Sequence, residues 1–310
     1  MSNPLLVVVG PTCTGKTALA VAAAQALAPA EILNADSRQV RRGLRVGTCT
    51  PTPMQLDGVQ CDLIDLCDPG EVFTVADWLA SARRCVDRLD RTGSRGIVCG
   101  GTGLYVTALV DGFDLAGAPP DPARRLERTA SATTSEGLDA LVAELRNRDP
   151  EGAAAIDQRN PRRVIRALEI LDARGGSLRT AQRRIAPRDA VMIGLDVARP
   201  VHVAWIERRT AAMFNTEGIQ NEVRRLLQRG YDGRVITACG IGYAEALDVV
   251  EGRLDVEAAT QATVLRTLRY ARAQRTWFRR EPRLSWLRPD LMSSGELLEQ
   301  TLGIVAAGVN

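Results

Sequence analysis

A single lysine, Lys16, stands in a chain whose other basic residues, within a total of 40 Lys+Arg, are all arginine. It belongs to an octapeptide of the form G-x-x-x-x-G-K-[ST], namely Gly10-Pro11-Thr12-Cys13-Thr14-Gly15-Lys16-Thr17. In such a P-loop, backbone N–H groups surround phosphate oxygens, the lysine adds a compact charge, and the last hydroxyl can bind Mg²⁺. The octapeptide therefore predicts a phosphate-binding site, with Thr17 as the ligand of a magnesium ion on the bound phosphates.

A strand and a helix are predicted on either side of this loop. The apolar run 5–9 indicates a buried strand, and residues 17–24 indicate a helix. Strand, loop and helix in this order point the helix N-terminus at a bound anion. A chance match to the motif is therefore a poor explanation.

A carboxylate, Asp36, ends the next predicted strand, residues 31–36. A carboxylate near a phosphate cradle can take a proton from a bound substrate. By position alone, Asp36 is explained equally well as a helix N-cap or as a carboxylate associated with Mg²⁺. A third predicted strand, residues 96–101, leads into the turn Gly100-Gly101-Thr102, which is by itself a weaker sign of a site.

Two groups of arginines indicate a polyanion longer than a nucleotide. One lies in the middle of the chain at 162, 163 and 166, and the other recurs every three or four residues near the C-terminus: Arg266, Arg269, Arg272, Arg275 and Arg279. On a helix this spacing makes successive arginines neighbours. One such group is usually a solvated face, but two that could flank one crevice favour contact with nucleic acid.

Composition narrows the class of protein. A net charge of +3 confines any nucleic-acid surface to a local patch, and 4% aromatic residues argue against a channel that stacks bases. Seven cysteines without a C-x-x-C pair disfavour zinc and disulfides, and the lone His202 disfavours histidine triads, so we interpret it as structural. With no leader and no apolar run of about 18 residues, we expect a soluble cytoplasmic protein without a membrane segment.

Strand and helix patterns alternate through residues 1–112, including a helix over 75–89, and predict a parallel sheet with helices on its faces. Residues 113–186 open with Gly, Ala, Pro and Asp and continue with helical patterns, before an apolar strand returns at 190–197. We predict an α/β fold: a P-loop core with parallel sheet from residues 1–112 and 187–310, including a helical C-terminal region, and a mostly helical insertion domain at 113–186. Ligands of such sheets bind at the carboxyl ends of strands.

The motifs together resemble the tRNA dimethylallyltransferases (isopentenyltransferases) over nearly the whole chain. The segments that carry the resemblance are Gly10 to Thr17, Asp36-Ser37-Arg38-Gln39-Val40, Gly47-Thr48, Asp68-Pro69, Gly100-Gly101-Thr102-Gly103-Leu104-Tyr105, Arg163-Val164-Ile165-Arg166-Ala167-Leu168-Glu169, Gly240-Ile241-Gly242-Tyr243 and Gln274-Arg275-Thr276-Trp277-Phe278-Arg279. The resemblance implies transfer of a dimethylallyl group from dimethylallyl diphosphate to the exocyclic amine of an adenine next to the anticodon in tRNA. The P-loop would then hold the diphosphate leaving group rather than ATP.

The resemblance also implies a role for each site residue. Lys16 and Mg²⁺ on Thr17 would stabilise the leaving group, and Asp36 would take the amine proton. Arg199, at the end of the returning strand, would add a further positive contact. The residues expected to hold the tRNA or the flipped adenine are Ser37, Arg38, Gln39, Thr102, Arg124, Arg162, Arg163 and Arg166.

The chain departs from the family's pattern mainly at positions expected to support RNA binding, among them an arginine replaced by Trp205. The departures are Arg41, Thr50, Cys61, Asp62, Asn160, Trp205, Ala211, Leu268 and Ala273. They leave open the same transfer to a small acceptor such as an adenine nucleotide, a P-loop small-molecule kinase, and a silent RNA-binding relative. The retained Lys16, Thr17 and Asp36 count against the last. The sequence predicts neither the acceptor's recognition sequence nor the oligomeric state.

Overall fold

The structure, a computed structural model, describes residues 3–114, 121–181 and 187–308, with only the backbone at 180 and 181. The chain divides into two compact units. The core unit comprises Met1–Val110 and Arg188–Asn310, and the insertion unit comprises Asp111–Pro187. Residues 115–120 and 182–186, near the predicted ends of the insertion, lie outside the described residues.

Within the described residues, the core unit contains one six-stranded parallel sheet. Its strands are β1 Leu5–Val9, β2 Ala30–Asn34, β3 Cys61–Asp62, β4 Arg95–Gly100, β5 Ala190–Leu195 and β6 Leu284–Leu287. They lie in the order β3-β2-β4-β1-β5-β6. All five residues of β1 are buried, since β4 and β5 pair with its two edges and helices cover the faces, which explains its unbroken apolar run. The predicted α/β fold with a parallel sheet is confirmed.

Two strands end earlier than predicted. β2 ends at Asn34 rather than at Asp36, and β5 ends at Leu195 rather than at 197. In both places a side-chain carboxylate accepts a hydrogen bond from a backbone N–H just beyond the strand. Asp36 Oδ1 accepts from Arg38 N, and Asp196 Oδ1 accepts from Val197 N. The chain therefore turns away from the sheet at its carboxyl edge, where a ligand site is expected.

Helices make up most of the remaining structure. Before the insertion come α1 Lys16–Ala26, α2 Pro53–Leu56, α3 Val75–Thr92 and α4 Gly103–Val110. The insertion unit contains α5 Pro122–Ser131, α6 Ser135–Arg148, α7 Pro150–Ala154, α8 Pro161–Arg174 and α9 Leu178–Ala181. After it come α10 Arg199–Asn215, α11 Ile219–Gln228, α12 Gly233–Ala238, α13 Tyr243–Val250, α14 Val256–Phe278 and α15 Ser294–Ala307. No helix within the described ranges combines the length and apolarity needed to span a membrane.

Each unit has an apolar core of its own. In the core unit, Leu6 and Val8 of β1 pack with Leu19 of α1 and Val305 of α15. In the insertion unit, Leu145, Val164 and Leu168 belong to a separate cluster. Burial of such side chains contributes about 1.5–3 kcal/mol each, and these two clusters fix the strands and helices that carry the polar groups described next.

Candidate active site

The loop between β1 and α1 lines a cavity of 440 Å³, which also reaches residues at the ends of β2 and β4. A side chain at Gly10 would meet the Leu195 carbonyl oxygen at 2.2 Å, so only glycine lets the loop pass this close to β5. Gly15 has φ 84° and is the N-cap of α1, where no side chain caps the helix. The first N–H groups of α1 are therefore available to an anion.

The ammonium of Lys16 lies inside this loop. Its Nζ donates to the Pro11 carbonyl oxygen at 2.7 Å, and the Thr14 hydroxyl donates to the same oxygen at 2.9 Å. Burial lowers the pKa of Lys16, while the neighbouring Cys99 and Asp36 oppose that shift. The Lys16 ammonium is bound by a carbonyl oxygen and not by a carboxylate. Its positive charge is therefore not balanced by an acid, and it would be stabilised by a bound anion. Thr17 lines the same cavity.

Asp36 lies in the turn that follows β2 and lines the cavity together with Lys16. Its Oδ1 accepts from Arg38 N at 2.8 Å, so it does have the cap-like contact that the sequence left open. The Asn34 amide donates to the carbonyl oxygens of Asp36 and Leu63, and this fixes the turn. The hydrogen bond with Arg38 occupies one carboxylate oxygen and leaves the group at the wall of the cavity, where it can also act on a substrate.

The turn after β4 packs against the Asp36 turn. The Thr102 hydroxyl accepts from Ser37 N at 2.9 Å, which joins the ends of β2 and β4. The Gln274 amide then joins the second turn to the P-loop, because its Nε2 donates to Gly101 O at 3.0 Å and its Oε1 accepts from Thr12 N at 2.8 Å. The three strand-end segments therefore form one connected wall, as the order of parallel strands predicts.

Helix α10 supplies two side chains to the P-loop that sequence reasoning left unassigned as ligands of this loop. His202 Nε2 lies 2.8 Å from Thr12 O and its Nδ1 lies 3.1 Å from Arg275 Nη2, a pair of contacts that requires the neutral ring with the proton on Nε2. Burial lowers the pKa of His202 and supports that neutral state. Arg209 Nη1 donates to the Thr12 hydroxyl at 2.8 Å, and Arg209 lines the cavity.

A sequence signal for these two residues existed. A helix that follows a central parallel strand begins at the edge of the sheet where ligands bind. His202 and Arg209 are seven residues apart, which places them on one face of such a helix. Gln274 gave no comparable signal, because it comes from a helix far along the chain and reaches the loop only by tertiary packing.

Arg199 does not lie where the sequence placed it. It is not at the end of a strand but is the first residue of α10, four residues past Leu195, and it is exposed. Among the described residues that line the cavity, the arginine is Arg209 and not Arg199. The strand prediction was too long because Val197 is apolar, although the chain had already left the sheet.

The predicted acceptor residues of the core unit differ in what they contact. Ser37 and Thr102 lie beside Asp36, as described above. Gln39 lines the cavity, and its amide donates to the carbonyl oxygens of Thr48 and Cys49, which ties down the loop on the opposite side. Arg38 is exposed, and its Nη1 donates to Ala238 O at 2.9 Å.

The four predicted arginines of the insertion unit divide into two pairs. Arg124 and Arg166 each form an ion pair, with Asp172 at 3.2 Å and with Glu169 at 3.1 Å respectively. By contrast, Arg162 and Arg163 are exposed and form no ion pair in the part of the chain that the structure describes. Arg162 also lines a separate cavity of 930 Å³ within this unit.

Several of the residues at which this chain departs from the family's sequence pattern make visible contacts. Arg41 Nη1 donates to the carbonyl oxygens of Asp68, Pro69 and Glu71. Thr50 is buried and donates to Leu44 O at 3.1 Å. Asp62 forms an ion pair with Arg88, and Asn160 caps α8. Cys61 lines the P-loop cavity, and Trp205 lines a neighbouring cavity of 480 Å³. Nothing in the structure explains Ala211, Leu268 or Ala273.

Known proteins resemble this chain over its whole length. A family model described as IPP transferase matches residues 39–281, and one described as isopentenyl transferase matches residues 3–68. A tRNA dimethylallyltransferase of Bifidobacterium longum is 38% identical over 313 residues, which cover 99% of this chain and 92% of the relative. The enzyme of the same name from Thermobifida fusca is 38% identical over 298 residues, or 94% and 92% of the two chains.

Two solved structures are also similar. A tRNA isopentenylpyrophosphate transferase from Bacillus halodurans has a TM-score of 0.71 and 35% identity and covers 99% of this chain and 98% of its own. A eukaryotic dimethylallyltransferase acting on tRNA has a TM-score of 0.77 at 21% identity and covers 93% and 74%. The second supports the fold alone.

Proposed function

This chain belongs to the IPP transferase family of tRNA dimethylallyltransferases, and from that premise we propose which of its residues carry out the reaction. The chain is a prenyltransferase: it moves a dimethylallyl group from dimethylallyl diphosphate to an adenine amine in tRNA. The observation that carries our assignment is that Lys16 and Asp36 line one cavity at the ends of β1 and β2. One end of that cavity suits the leaving diphosphate and the other suits a nitrogen that must lose a proton.

The P-loop is the proposed site of the diphosphate. As the bond between the allylic carbon and its oxygen breaks, negative charge grows on the diphosphate. Loop amides, the start of α1 and the Lys16 ammonium stabilise that charge because they are already oriented. The loop is held in this shape by Gln274 and His202, which bind its backbone at Thr12.

The residues present fit a Mg²⁺ ion that is held mainly by the substrate. Thr17 offers a hydroxyl oxygen, the kind of ligand Mg²⁺ prefers, beside the place of the phosphates. Within the described residues no cluster of three or more His, Cys, Asp or Glu side chains could hold a metal by itself. When bound, the ion would neutralise charge on the diphosphate.

Asp36 is the proposed general base. The adenine amine attacks the allylic carbon, a carbon–nitrogen bond forms, the diphosphate departs with the electron pair of its bond, and the amine proton passes to the Asp36 carboxylate. Such assistance is worth about 10²–10⁴-fold in rate. The Asn34 and Arg38 contacts hold this carboxylate at the cavity wall.

The acceptor base must leave its stack to reach a cavity at the edge of the sheet, so we propose a flipped adenine next to the anticodon. Ser37, Gln39 and Thr102 surround the Asp36 turn and are the proposed contacts of this base, with Arg38 on the exposed side. In the insertion unit we propose Arg162 and Arg163 as phosphate contacts, because they are exposed and form no ion pair with any acid that the structure describes. Because tRNA is the acceptor, we propose that the chain acts in the cytoplasm.

The test is a labelling experiment with two acceptors. Labelled dimethylallyl diphosphate and Mg²⁺ are incubated with the chain and either tRNA or AMP. We expect label in tRNA, in an adenine beside the anticodon, and none in AMP. Label in AMP alone would assign the same chemistry to a small acceptor. Absence of label in both, together with phosphate transfer from ATP to a small molecule, would indicate a kinase.

A further inference from the structure

A buried carboxylate on α11 holds a loop, residues 44–51, that reaches the P-loop cavity. Glu222 is buried and forms no ion pair in the part of the chain that the structure describes. Its Oε1 accepts from Arg45 N at 2.6 Å and from Val46 N at 2.8 Å, and its Oε2 accepts from Gly47 N at 3.2 Å. A buried charge is costly unless hydrogen-bond donors replace the lost water, so this carboxylate and the three consecutive N–H groups fix each other.

Tyr243 of α13 completes this contact. Its hydroxyl donates to Glu222 Oε2 at 2.9 Å, and burial, together with the Glu222 charge, raises the pKa of Tyr243 and keeps the hydroxyl protonated as a donor. A side chain at Gly47 would meet the Tyr243 ring at 2.3 Å, so the loop backbone packs directly on the ring. Helices α11 and α13 therefore set the position of the loop, although none of their residues is among those that line the cavity.

The other end of the loop forms part of the cavity wall and binds Gln39. Thr48, Cys49 and Pro51 line the cavity, as Gln39 does. Gln39 Nε2 donates to Thr48 O at 3.1 Å and to Cys49 O at 3.0 Å. These two bonds use both hydrogens of the amide nitrogen and fix the orientation of the amide. Gln39 Oε1 has no hydrogen-bond partner among the described residues, so it is the atom that Gln39 can offer to an amine.

We propose that Glu222 is a positioning residue for the acceptor amine and that it acts through the loop and Gln39. This inference rests on the proposed function, which brings an adenine amine to Asp36. As the carbon–nitrogen bond forms and the diphosphate leaves with the electron pair of its bond, one amine hydrogen passes as a proton to Asp36. The other is held by Gln39 Oε1. Glu222 fixes the backbone whose carbonyl groups orient the Gln39 amide, and a reversed amide would present N–H groups in place of an acceptor.

Amide hydrogen exchange of the full chain tests the hold on the loop without any measurement of activity. Glu222→Gln keeps the shape of the side chain but replaces one acceptor oxygen with an NH₂ group that faces backbone donors. We expect exchange in residues 44–51 to become about tenfold faster, as for a lost buried hydrogen bond, with no change in the P-loop, residues 10–17. Unchanged exchange in residues 44–51 would overturn the proposal.

A double-mutant cycle tests whether Glu222 acts through Gln39. Transfer of label to tRNA is measured at saturating dimethylallyl diphosphate, and the affinity for inorganic pyrophosphate is measured by calorimetry with Mg²⁺. We expect kcat to fall about tenfold in Glu222→Gln, with pyrophosphate affinity within about twofold of the unmodified chain. In a Gln39→Ala background the same change should lower kcat by less than about a further twofold, because the contact is already lost. Glu222→Asp keeps the carboxylate and should recover part of the rate.

Glu245→Gln is the matched control. Glu245 of α13 is also buried, but it pairs with Arg266 and forms no described hydrogen bond with residues 44–51. We expect it to lower the melting temperature while kcat changes by less than about twofold. Thermal melting establishes that each variant is folded, and Glu222→Asp takes the place of Glu222→Gln in the cycle if the latter is not.

Two results in the cycle would overturn the proposal: losses of kcat that simply add between Glu222→Gln and Gln39→Ala, or a loss of kcat in Glu245→Gln as large as in Glu222→Gln. Faster exchange in residues 44–51 of Glu222→Gln, with no transfer of label to tRNA even by the unmodified chain, would retain the contact between Glu222 and the loop and reject the proposed function.

Discussion

The two units of this chain use positive charge in opposite ways. At the P-loop, Lys16 and Arg209 donate to a carbonyl and a hydroxyl, and neither forms an ion pair in the described structure. In the insertion unit, the buried Glu169 accepts from both Arg125 and Arg166. The positive charges at the P-loop therefore remain available to an anionic ligand, whereas Arg125 and Arg166 are already paired with a carboxylate of the same unit.

The difference shows that a count of arginines does not locate a nucleic-acid surface. Burial raises the pKa of Asp172, but hydrogen bonds from Arg128 and Arg148 outweigh it and hold that pKa at about 2. Asp172 is therefore ionised at working pH and forms ion pairs with both of these arginines. Of the four arginines of this unit that the sequence predicted to hold tRNA, Arg162 and Arg163 form no ion pair within the described ranges, which is why we propose them as the contacts of RNA phosphates.

We expect the greatest loss of activity from a change in the P-loop. Lys16→Ala removes the enclosed ammonium, and we expect turnover with dimethylallyl diphosphate to fall by roughly 10²–10³-fold, the range for the loss of one preorganised charge donor. Lys16→Arg keeps the charge but should remain impaired, because the cavity around Nζ is compact. Pyrophosphate affinity is measured alongside, and an unchanged value in Lys16→Ala would contradict the cradle.

The next prediction distinguishes the proposed general base, Asp36, from the P-loop residues that bind the diphosphate. Asp36→Asn keeps the shape and the acceptor for Arg38 N but removes the basic oxygen. We expect turnover at least tenfold lower, within the ~10²–10⁴-fold range of general-base catalysis, while pyrophosphate binding is retained. Steady-state rates and calorimetry on the same preparation check this, and full activity in Asp36→Asn would remove it as the base.

A third prediction tests whether the ion pairs of the insertion unit stabilise its fold. Glu169→Gln leaves Arg125 and Arg166 without their buried acceptor charge and should destabilise this unit by about 2–3 kcal/mol, less than a fully buried pair because Arg125 is partly exposed. Denaturant unfolding of the full chain measures the change. Glu127→Gln, on the exposed surface of α5, is the matched control and should have little effect.

A fourth prediction compares the two pairs of arginines directly. The double change Arg162→Ala and Arg163→Ala should weaken tRNA binding about tenfold and reduce the salt slope by about 0.7–0.9 per residue. Arg124→Ala with Arg166→Ala should affect tRNA affinity less and unfolding more. Binding is measured over a range of salt concentrations, and equal losses in the two double variants would refute the distinction between paired and unpaired arginines.

The smallest effect is on pH dependence. The pKa of Asp172 is lowered to about 2 in the folded chain, below the usual value of about 3.9. Its contribution to stability is therefore complete above about pH 4 and is lost as pH falls toward 2. Asp172→Asn should flatten this part of the stability profile, measured by thermal melting across acidic pH, and an unchanged slope would contradict the pairing.

Local pattern was sufficient to locate the strand, loop and helix around Lys16, the central strands and the turn that carries Asp36, because each is specified by neighbouring residues. It misplaced Arg199, since an apolar residue past the end of β5 extended the apparent strand. It also assigned tRNA contact to all four predicted arginines of the insertion unit. In the described structure, Arg124 and Arg166 form ion pairs, whereas Arg162 and Arg163 form none. The first difference concerns where a strand ends, and the second concerns side-chain contacts, which a local pattern does not show.

Residue types at short spacing were enough to identify the P-loop motif, the parallel sheet and the family. Which charged side chains are paired depends on how the helices pack. Arg125 meets Glu169 across 44 residues and His202 meets Thr12 across 190, and no local rule couples such positions. An ion pair depends on two side chains brought within hydrogen-bond distance, and that distance exists only after the helices have packed.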